Sequence, residues 1–321
     1  MVNEKSKTKR KIDRKTKRNI KLESKTKTKI NLDSCNPANN NSASCFDFEA
    51  LVKIAKSWNK DHPKDTDKIK IPKVDNHTNK KALWNHIDRK LRGTCTTEWC
   101  WIEQDFVRKV GNRELEALFR PKMPRSWRKN KYEWLSSIDI ESVMSQYEDK
   151  YKDFKFIGPV PIDFDYQYEF GKCIVTELCK INLKNLLKNN IKKVGVIFNL
   201  DAHDKPGSHW VAMYMDLNKK VVYYFDSYGS SPPSEVQILI ERLQEQSQEL
   251  GFELKYDYSK IRHQYENSEC GVYSIYFITQ LLEEKKTFSS MQKHRIPDKV
   301  VNDKRNYFFI NPVKQLEKSK D

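Results

Sequence analysis

Strand-like runs dominate the middle of the chain. Residues 193–200 (KVGVIFNL), 209–217 (HWVAMYMDL) and 221–226 (VVYYFD) are short and rich in β-branched and aromatic residues, which is the pattern of buried strands. The polar residues at 218–220 separate the second run from the third, so we expect a hairpin there. A shorter run at 252–256 predicts one more strand.

Helical spacing of apolar residues surrounds these runs. Apolar residues between 46 and 58 recur at near-helical intervals, and further amphipathic stretches follow up to residue 119. We expect residues 159–165 to form a loop. Together the elements indicate an α+β protein, a mixed central sheet flanked by helices and preceded by a helical N-terminal extension. The later predicted helices are 138–151, 183–188, 236–250 and 272–282.

Composition suggests that part of the chain lies outside any core. Only 37% of the 321 residues are hydrophobic, against about 45–50% in a typical globular domain. Residues 1–45 are mostly Lys, Thr, Ser and Asn and cannot offset their ordering entropy by burial, so we predict a disordered basic tail. A mainly helical region at 46–125 and a catalytic domain at 126–321 follow.

The charge excess lies mainly in this tail. The chain holds 60 Lys and Arg against 44 Asp and Glu, and residues 1–30 hold 13 of the former and three of the latter. Such a segment is a solubilising arm, a nuclear-import signal or a non-specific nucleic-acid tether. No apolar run approaches the ~20 residues of a membrane span, so we expect no membrane contact. The seven cysteines lack framework spacing, which favours free thiols in a reducing intracellular compartment.

The residues around Cys270 suit a cysteine nucleophile. A thiolate is stabilised at a helix N-terminus and beside an imidazolium, and Cys270 precedes the apolar helical run. His209 begins one strand of the predicted hairpin and Asp226 ends the other, so the carboxylate could orient the imidazole. Gln264 and the backbone N–H of Cys270 could form an oxyanion hole.

This pattern resembles the ubiquitin-like-protein-specific cysteine proteases and the adenain-type processing proteases of large DNA viruses. The resemblance rests on His209-Trp210, an Asp 17 residues later, and Gln-x5-Cys-Gly, in the order His, Asp, Cys. It extends over roughly residues 90–310. The Trp134-Leu135 segment resembles the opening of the protease domain, while CTTEWCW at 95–101 and the Pro-x2-Trp element at 124–127 resemble the viral branch.

The resemblance implies an Ulp/adenain-like fold and a role for each matching residue. Cys270 would be the nucleophile, His209 the base, Asp226 its orienting acid and Gln264 the oxyanion donor. Trp210 and Trp134 would bind substrate, because a slot narrowed by an indole admits glycine before the scissile bond. No cofactor or metal is implied, and the pair Cys95-x4-Cys100 lacks the further ligands that structural zinc needs. His203, His263 and His294 are alternative bases.

Four functions are compatible with the sequence. The first is a thiol endopeptidase that cleaves after Gly-Gly-x-like sites and processes viral structural-protein precursors, in the virion or the host cytoplasm. The second is a protease that removes SUMO or another ubiquitin-like modifier, with the nucleus as an alternative location. A Yop-type acetyltransferase and a non-enzymatic basic binding protein are less favoured, since no CoA pocket is evident and all four active-site residue types are present.

Overall fold

The computed structural model describes residues 28, 30–39, 43–64, 66, 68–109 and 111–311. The described residues form two compact units. One comprises those up to Lys122 together with Ile310 and Asn311, and the other extends from Met123 to Phe309. We call them the N-terminal unit and the protease unit.

The N-terminal unit is helical and packs around tryptophans and cysteines. Trp99 and Trp101 are buried, and Phe46 stacks on Trp101 with ring centroids 5.6 Å apart. The first long helix begins where the Asp47 side chain accepts a hydrogen bond from the Ala50 N–H at 2.7 Å, an N-cap interaction. The helices are α1 (Phe48–Asp61), α2 (His77–Leu91), α3 (Glu98–Ile102), α4 (Asp105–Arg108) and α5 (Arg113–Glu116).

The segment predicted as a disordered tail differs over its described part. Leu32–Ser34 forms a 3-10 turn, and the Arg120 side chain donates a hydrogen bond to the Asp33 carbonyl at 2.8 Å. Cys35 and Cys45 are buried and joined by a disulfide. The hydrophilic composition of the segment predicted disorder, but a few buried side chains and one disulfide are enough to order its described part. Residues 1–27 lie outside the described residues.

The protease unit is built on a five-stranded mixed sheet in the order β1-β2-β3-β4-β5. The strands β2, β3 and β4 run antiparallel, and β1 and β5 pair in parallel with β2 and β4. On β3, Trp210, Ala212 and Tyr214 enter one core and the alternate residues enter the other, as the two-residue period of a strand requires. The strands are β1 (Phe154–Pro161), β2 (Lys193–Asn199), β3 (Trp210–Asp216), β4 (Val221–Phe225) and β5 (Lys255–Tyr258).

Helices cover both faces of this sheet. The apolar helix Cys270–Leu282 packs against β3 on one face, and the amphipathic helix Ser234–Glu249 covers the opposite face. This arrangement confirms the predicted α+β class. The helices are α6 (Ser137–Lys150), α7 (Thr176–Cys179), α8 (Leu183–Lys188), α9 (Ser234–Glu249), α10 (Cys270–Leu282), α11 (Phe288–Met291), α12 (Asp298–Asp303) and α13 (Arg305–Phe308).

Three sequence expectations need correction. The predicted loop at 159–165 begins inside β1, which the sequence did not reveal. The strand predicted at 252–256 lies at Lys255–Tyr258. Six of the seven cysteines are paired in disulfides, the three being Cys35–Cys45, Cys95–Cys100 and Cys173–Cys179. The expectation of seven free thiols is therefore wrong, because sequence spacing did not indicate which cysteines fold together.

None of the helices in the described part of the chain is long and apolar enough to cross a bilayer.

Candidate active site

The β3–β4 hairpin brings His209 and Asp226 together. Ala212 pairs with Phe225 in the antiparallel register, so the residue before β3 and the residue after β4 lie at the same end of the hairpin. The His209 Nε2 atom lies 2.7 Å from Asp226 Oδ1, and both side chains are buried. The Tyr228 backbone N–H also donates to Asp226 Oδ1 at 2.8 Å, which fixes the carboxylate.

The His209 imidazole lies between this carboxylate and the Cys270 thiol. Burial disfavours the charged ring, but hydrogen bonds to Asp226 and Cys270 and the negative charges of both outweigh burial and raise the pKa of His209 to about 9. Because Asp226 takes Nε2, the remaining nitrogen, Nδ1, faces the thiol. A histidine held this way can exchange a proton with sulfur on one side while its charge is stabilised on the other.

Cys270 is the first residue of α10 and is 1% exposed. The unpaired N–H groups of a helix start carry partial positive charge, which stabilises a thiolate placed there. Gly271 follows it, and a Cβ atom there would lie 3.0 Å from Leu135 Cβ and 3.2 Å from Trp210 Cδ1. The absence of a side chain at Gly271 therefore lets the two covering residues approach the helix start.

Gln264 has a fixed side chain in the loop before Cys270. Its Nε2 atom donates to the Glu266 carbonyl at 2.8 Å, and its Oε1 atom accepts from the Ser227 hydroxyl at 2.6 Å. The residue is fully buried. An amide NH₂ carries two protons, so this hydrogen bond to Glu266 leaves one for another acceptor.

A groove extends away from Trp210. Its volume is about 820 Å³, and its lining includes Trp134, Leu135, Trp210 and, farther along, His203. Trp210 is buried and donates from Nε1 to the Leu135 carbonyl at 3.0 Å, whereas Trp134 is 42% exposed. The two tryptophans proposed to bind substrate thus line one groove.

The alternative histidines occupy other environments. Burial and the nearby Arg295 lower the pKa of His263 to about 4, and its Nδ1 atom accepts from the Ile296 N–H at 3.0 Å. His263 is therefore a neutral residue of the core. The His203 Nδ1 atom lies 2.7 Å from Asp163 Oδ2, and His294 is exposed.

Two residues of this site were not identified from the sequence. Ser227 contacts the Gln264 amide, and the Tyr228 ring stacks on His209 with centroids 4.7 Å apart and planes 18° apart. Both directly follow Asp226, and that adjacency was the available signal. Adjacency alone does not show where either side chain points, because the backbone turn after β4 determines that.

Comparison with known proteins places this geometry in context. A family model described as the Ulp1 protease family, C-terminal catalytic domain, matches residues 169–316. A thiol protease of Acanthamoeba polyphaga mimivirus is 33% identical over 292 residues, covering 86% of this chain and 92% of that protein. Cysteine proteases of African swine fever virus, some named SUMO-1 cysteine protease, are 26% identical over 245 residues, covering 71% of this chain and 88% of theirs.

A solved structure shares the fold. The crystal structure of an African swine fever virus protease superposes with a TM-score of 0.59 at 23% identity, covering 76% of this chain and 94% of that one.

Proposed function

This chain belongs to the Ulp1 protease family of cysteine-type peptidases, and we propose that it is an endopeptidase whose nucleophile is Cys270, with His209 and Asp226 as the supporting pair. The observation that carries the proposal is the buried hydrogen bond of 2.7 Å between His209 Nε2 and Asp226, together with the hydrogen bond between Cys270 and the same imidazole ring. An acetyltransferase or a non-enzymatic role is less favoured, because the family is one of peptidases.

The reaction follows from these positions. His209 holds the proton of the Cys270 thiol, so the sulfur attacks the substrate carbonyl carbon directly, and the carbonyl oxygen becomes an oxyanion. The remaining Nε2 proton of Gln264 and the Cys270 backbone N–H stabilise that charge. The imidazolium then protonates the leaving amine as the C–N bond breaks. The now neutral His209 takes a proton from water, the resulting hydroxide attacks the thioester, and the C–S bond breaks to release the acid product, which leaves the proton on His209 beside the sulfur as at the start.

The preferred substrate carries glycine before the scissile bond. Gly271, Leu135 and Trp210 contact one another closely beside the nucleophile, which leaves little width for a substrate side chain. The chain before those glycines would continue into the groove lined by Trp134 and Trp210. A Gly-Gly-x segment of a precursor protein fits this arrangement.

The second candidate is removal of a ubiquitin-like modifier. It is favoured by the family description and by the naming of African swine fever virus relatives as SUMO-1 cysteine proteases. The two activities share one catalytic site and differ in what is recognised beyond the glycines.

The viral sources of the relatives favour a virus-encoded enzyme that processes structural-protein precursors in the host cell or the virion. Residues 1–30, with their excess of Lys and Arg, would add non-specific attraction to nucleic acid. A nuclear location fits the modifier protease better.

The test compares two substrates. Wild type and Cys270→Ala are assayed on two substrates. One is a Gly-Gly-x reporter within an unstructured linker, and the other is a conjugate of SUMO or ubiquitin attached to a protein through a Lys isopeptide bond. Cleavage of the linker reporter alone, lost in Cys270→Ala, supports the processing protease. Faster turnover of the isopeptide at lower enzyme concentration supports the modifier protease. Equal cleavage by Cys270→Ala would exclude Cys270 as the nucleophile.

A further inference from the structure

We propose that Ser227 is a positioning residue that holds the Gln264 amide in the orientation needed to stabilise the oxyanion. The inference rests on the proposed function, in which Gln264 donates to that oxyanion. Ser227 Oγ lies 2.6 Å from Gln264 Oε1, and neither residue exposes more than 1% of its surface.

The direction of this hydrogen bond follows from a third residue. The Gln264 amide nitrogen lies 2.8 Å from the Glu266 carbonyl oxygen, which can only accept. The other amide atom is therefore the oxygen, so the Ser227 hydroxyl donates to it. Rotating the amide by 180° would bring the Gln264 and Glu266 carbonyl oxygens together, so Glu266 sets the orientation of the amide and the serine hydroxyl holds the amide oxygen in place.

The Ser227 backbone makes a separate contribution. Its carbonyl accepts from the His263 N–H at 2.8 Å and the Gln264 N–H at 2.9 Å. Replacing the side chain leaves these bonds in place, so Ser227→Ala removes the hydrogen bond to the amide oxygen while preserving the loop and the hydrogen bond from the amide nitrogen to Glu266. Asp226, the preceding residue, orients His209, and the same turn therefore holds both the base and the oxyanion donor.

The test is steady-state cleavage of the Gly-Gly-x reporter by Ser227→Ala, Gln264→Ala and the double variant. Removing one oxyanion donor costs about 10²–10³ in kcat, and we expect that loss for Gln264→Ala. Ser227→Ala should lose about tenfold in kcat with KM and the pH profile unchanged. The double variant should match Gln264→Ala, because a positioning residue has no effect once its target is gone. Ser227→Thr, which retains the hydroxyl, should recover most of the rate.

The outcomes separate the two claims. Full activity in Gln264→Ala would remove the oxyanion role itself. A large loss in Gln264→Ala together with a further tenfold loss in the double variant would overturn the role of Ser227. Ser247→Ala is the matched control, because Ser247 is also a fully buried serine but bonds to Leu254, away from the site. It should keep wild-type kcat.

We infer, from a different observation, that a basic cleft of the N-terminal unit binds the phosphate backbone of nucleic acid. The cleft measures about 620 Å³ and lies between α1 and the segment leading into α5. Within the described residues, Lys56, Lys60 and Arg113 have no acidic partner, whereas Lys53 pairs with Glu114. The cleft is lined by Lys53, Lys56, Ser57, Lys60, Gly111, Asn112, Arg113, Glu114 and Leu115.

The spacing of these cations suits a polyanion. Lys53, Lys56 and Lys60 share one face of α1 and span about 10 Å along its axis at ~1.5 Å per residue. That length covers about three phosphates of one DNA strand at ~3.4 Å each. The lining holds no aromatic residue on which a base could stack, so binding should be insensitive to sequence.

The test measures binding of a labelled DNA duplex by anisotropy across a salt series, with the full chain. Alanine at Lys56, Lys60 and Arg113 should lower the slope of log K against log salt by about 2–3, since each phosphate contact contributes ~0.9. The charge-matched control places alanine at the exposed Lys180, Lys184 and Lys188 and should keep the wild-type slope.

A gain-of-binding variant guards against misfolding. Glu114→Gln removes the nearer of the two carboxylates paired with Lys53, the other being Glu49, and takes one negative charge out of the cleft, so it should tighten binding a few-fold. An equal loss of DNA affinity in the cleft and control variants, or no gain of affinity in Glu114→Gln, would overturn the proposal that the cleft binds DNA. Any DNA binding would then belong to other basic segments.

Discussion

At the scale of single residues, the charge state of His209 controls the site. Its pKa of about 9 lies above the ordinary 6.5, so the imidazolium is favoured in the folded protein. Such a group contributes stability that is fully present below pH 6.5 and is lost as the pH rises through about 9. The sequence order of His209, Asp226 and Cys270 was enough to suggest the group. The Ser227 contact was not predictable, since a serine hydroxyl gives no sequence signal for its partner.

The pH profile of cleavage tests this electrostatic account. We expect kcat/KM to decline on the alkaline side near pH 9, where the imidazolium loses its proton. Asp226→Asn removes one of the interactions that raise the pKa of His209, so the alkaline limb should move to lower pH and the maximum rate should fall. An alkaline limb at the same pH in Asp226→Asn would show that Asp226 does not set the charge of His209.

At the scale of elements, the start of α10 depends on close packing. Gly271→Ala would bring a methyl group to within 3.0 Å of Leu135 and 3.2 Å of Trp210. Overpacking of this kind costs about 1–3 kcal/mol. Displacement of Trp210 should also raise KM for the Gly-Gly-x reporter, by about tenfold. Gly93→Ala, where no atom lies within 4 Å of the added Cβ, is the control and should leave KM unchanged.

The elements that were predictable differ physically from the one that was missed. The apolar runs of β2, β3 and β4 are uninterrupted by proline, and α10 is apolar around most of its surface. In contrast, β1 contains Pro159 and Pro161 and a register shift between Ile157 and Val160. Proline removes a ladder donor and signals a turn, yet an edge strand tolerates it because one side needs no partner. Local sequence therefore favoured a loop where pairing with β2 forms a strand.

A buried carboxylate stabilises the N-terminal unit. Glu98 accepts from the Ser44 hydroxyl at 2.6 Å, the Cys45 N–H at 3.0 Å and Trp84 Nε1 at 2.6 Å. Glu98→Ala leaves these three donors without an acceptor, and we expect a loss of about 3 kcal/mol in unfolding free energy, measured by urea denaturation. Glu245→Ala, an exposed helical glutamate, should change stability by less than about 0.5 kcal/mol. A similar small change in Glu98→Ala would show that the donors find other partners.

At the scale of the whole molecule, cysteine pairing separates one reactive thiol from six bonded ones. Cys270 is the single free cysteine among the seven. Sequence spacing favoured free thiols, because it does not show which loops meet in the folded chain. With six cysteines in disulfides, an alkylating reagent should select Cys270 because it is the free thiol, and this selectivity does not require a difference in reactivity among seven thiols.

Alkylation without reductant tests this arrangement. Iodoacetamide at pH 7 should add one carbamidomethyl group to the native wild-type protein, located at Cys270 by peptide mass spectrometry, and none to Cys270→Ala. Reduction and unfolding should then expose six further sites. The single modification should remove peptidase activity in proportion to labelling, because the same sulfur is the proposed nucleophile. Labelling of several cysteines in the native protein would show that the disulfides are not formed under those conditions, and labelling that leaves activity intact would separate the reactive thiol from catalysis.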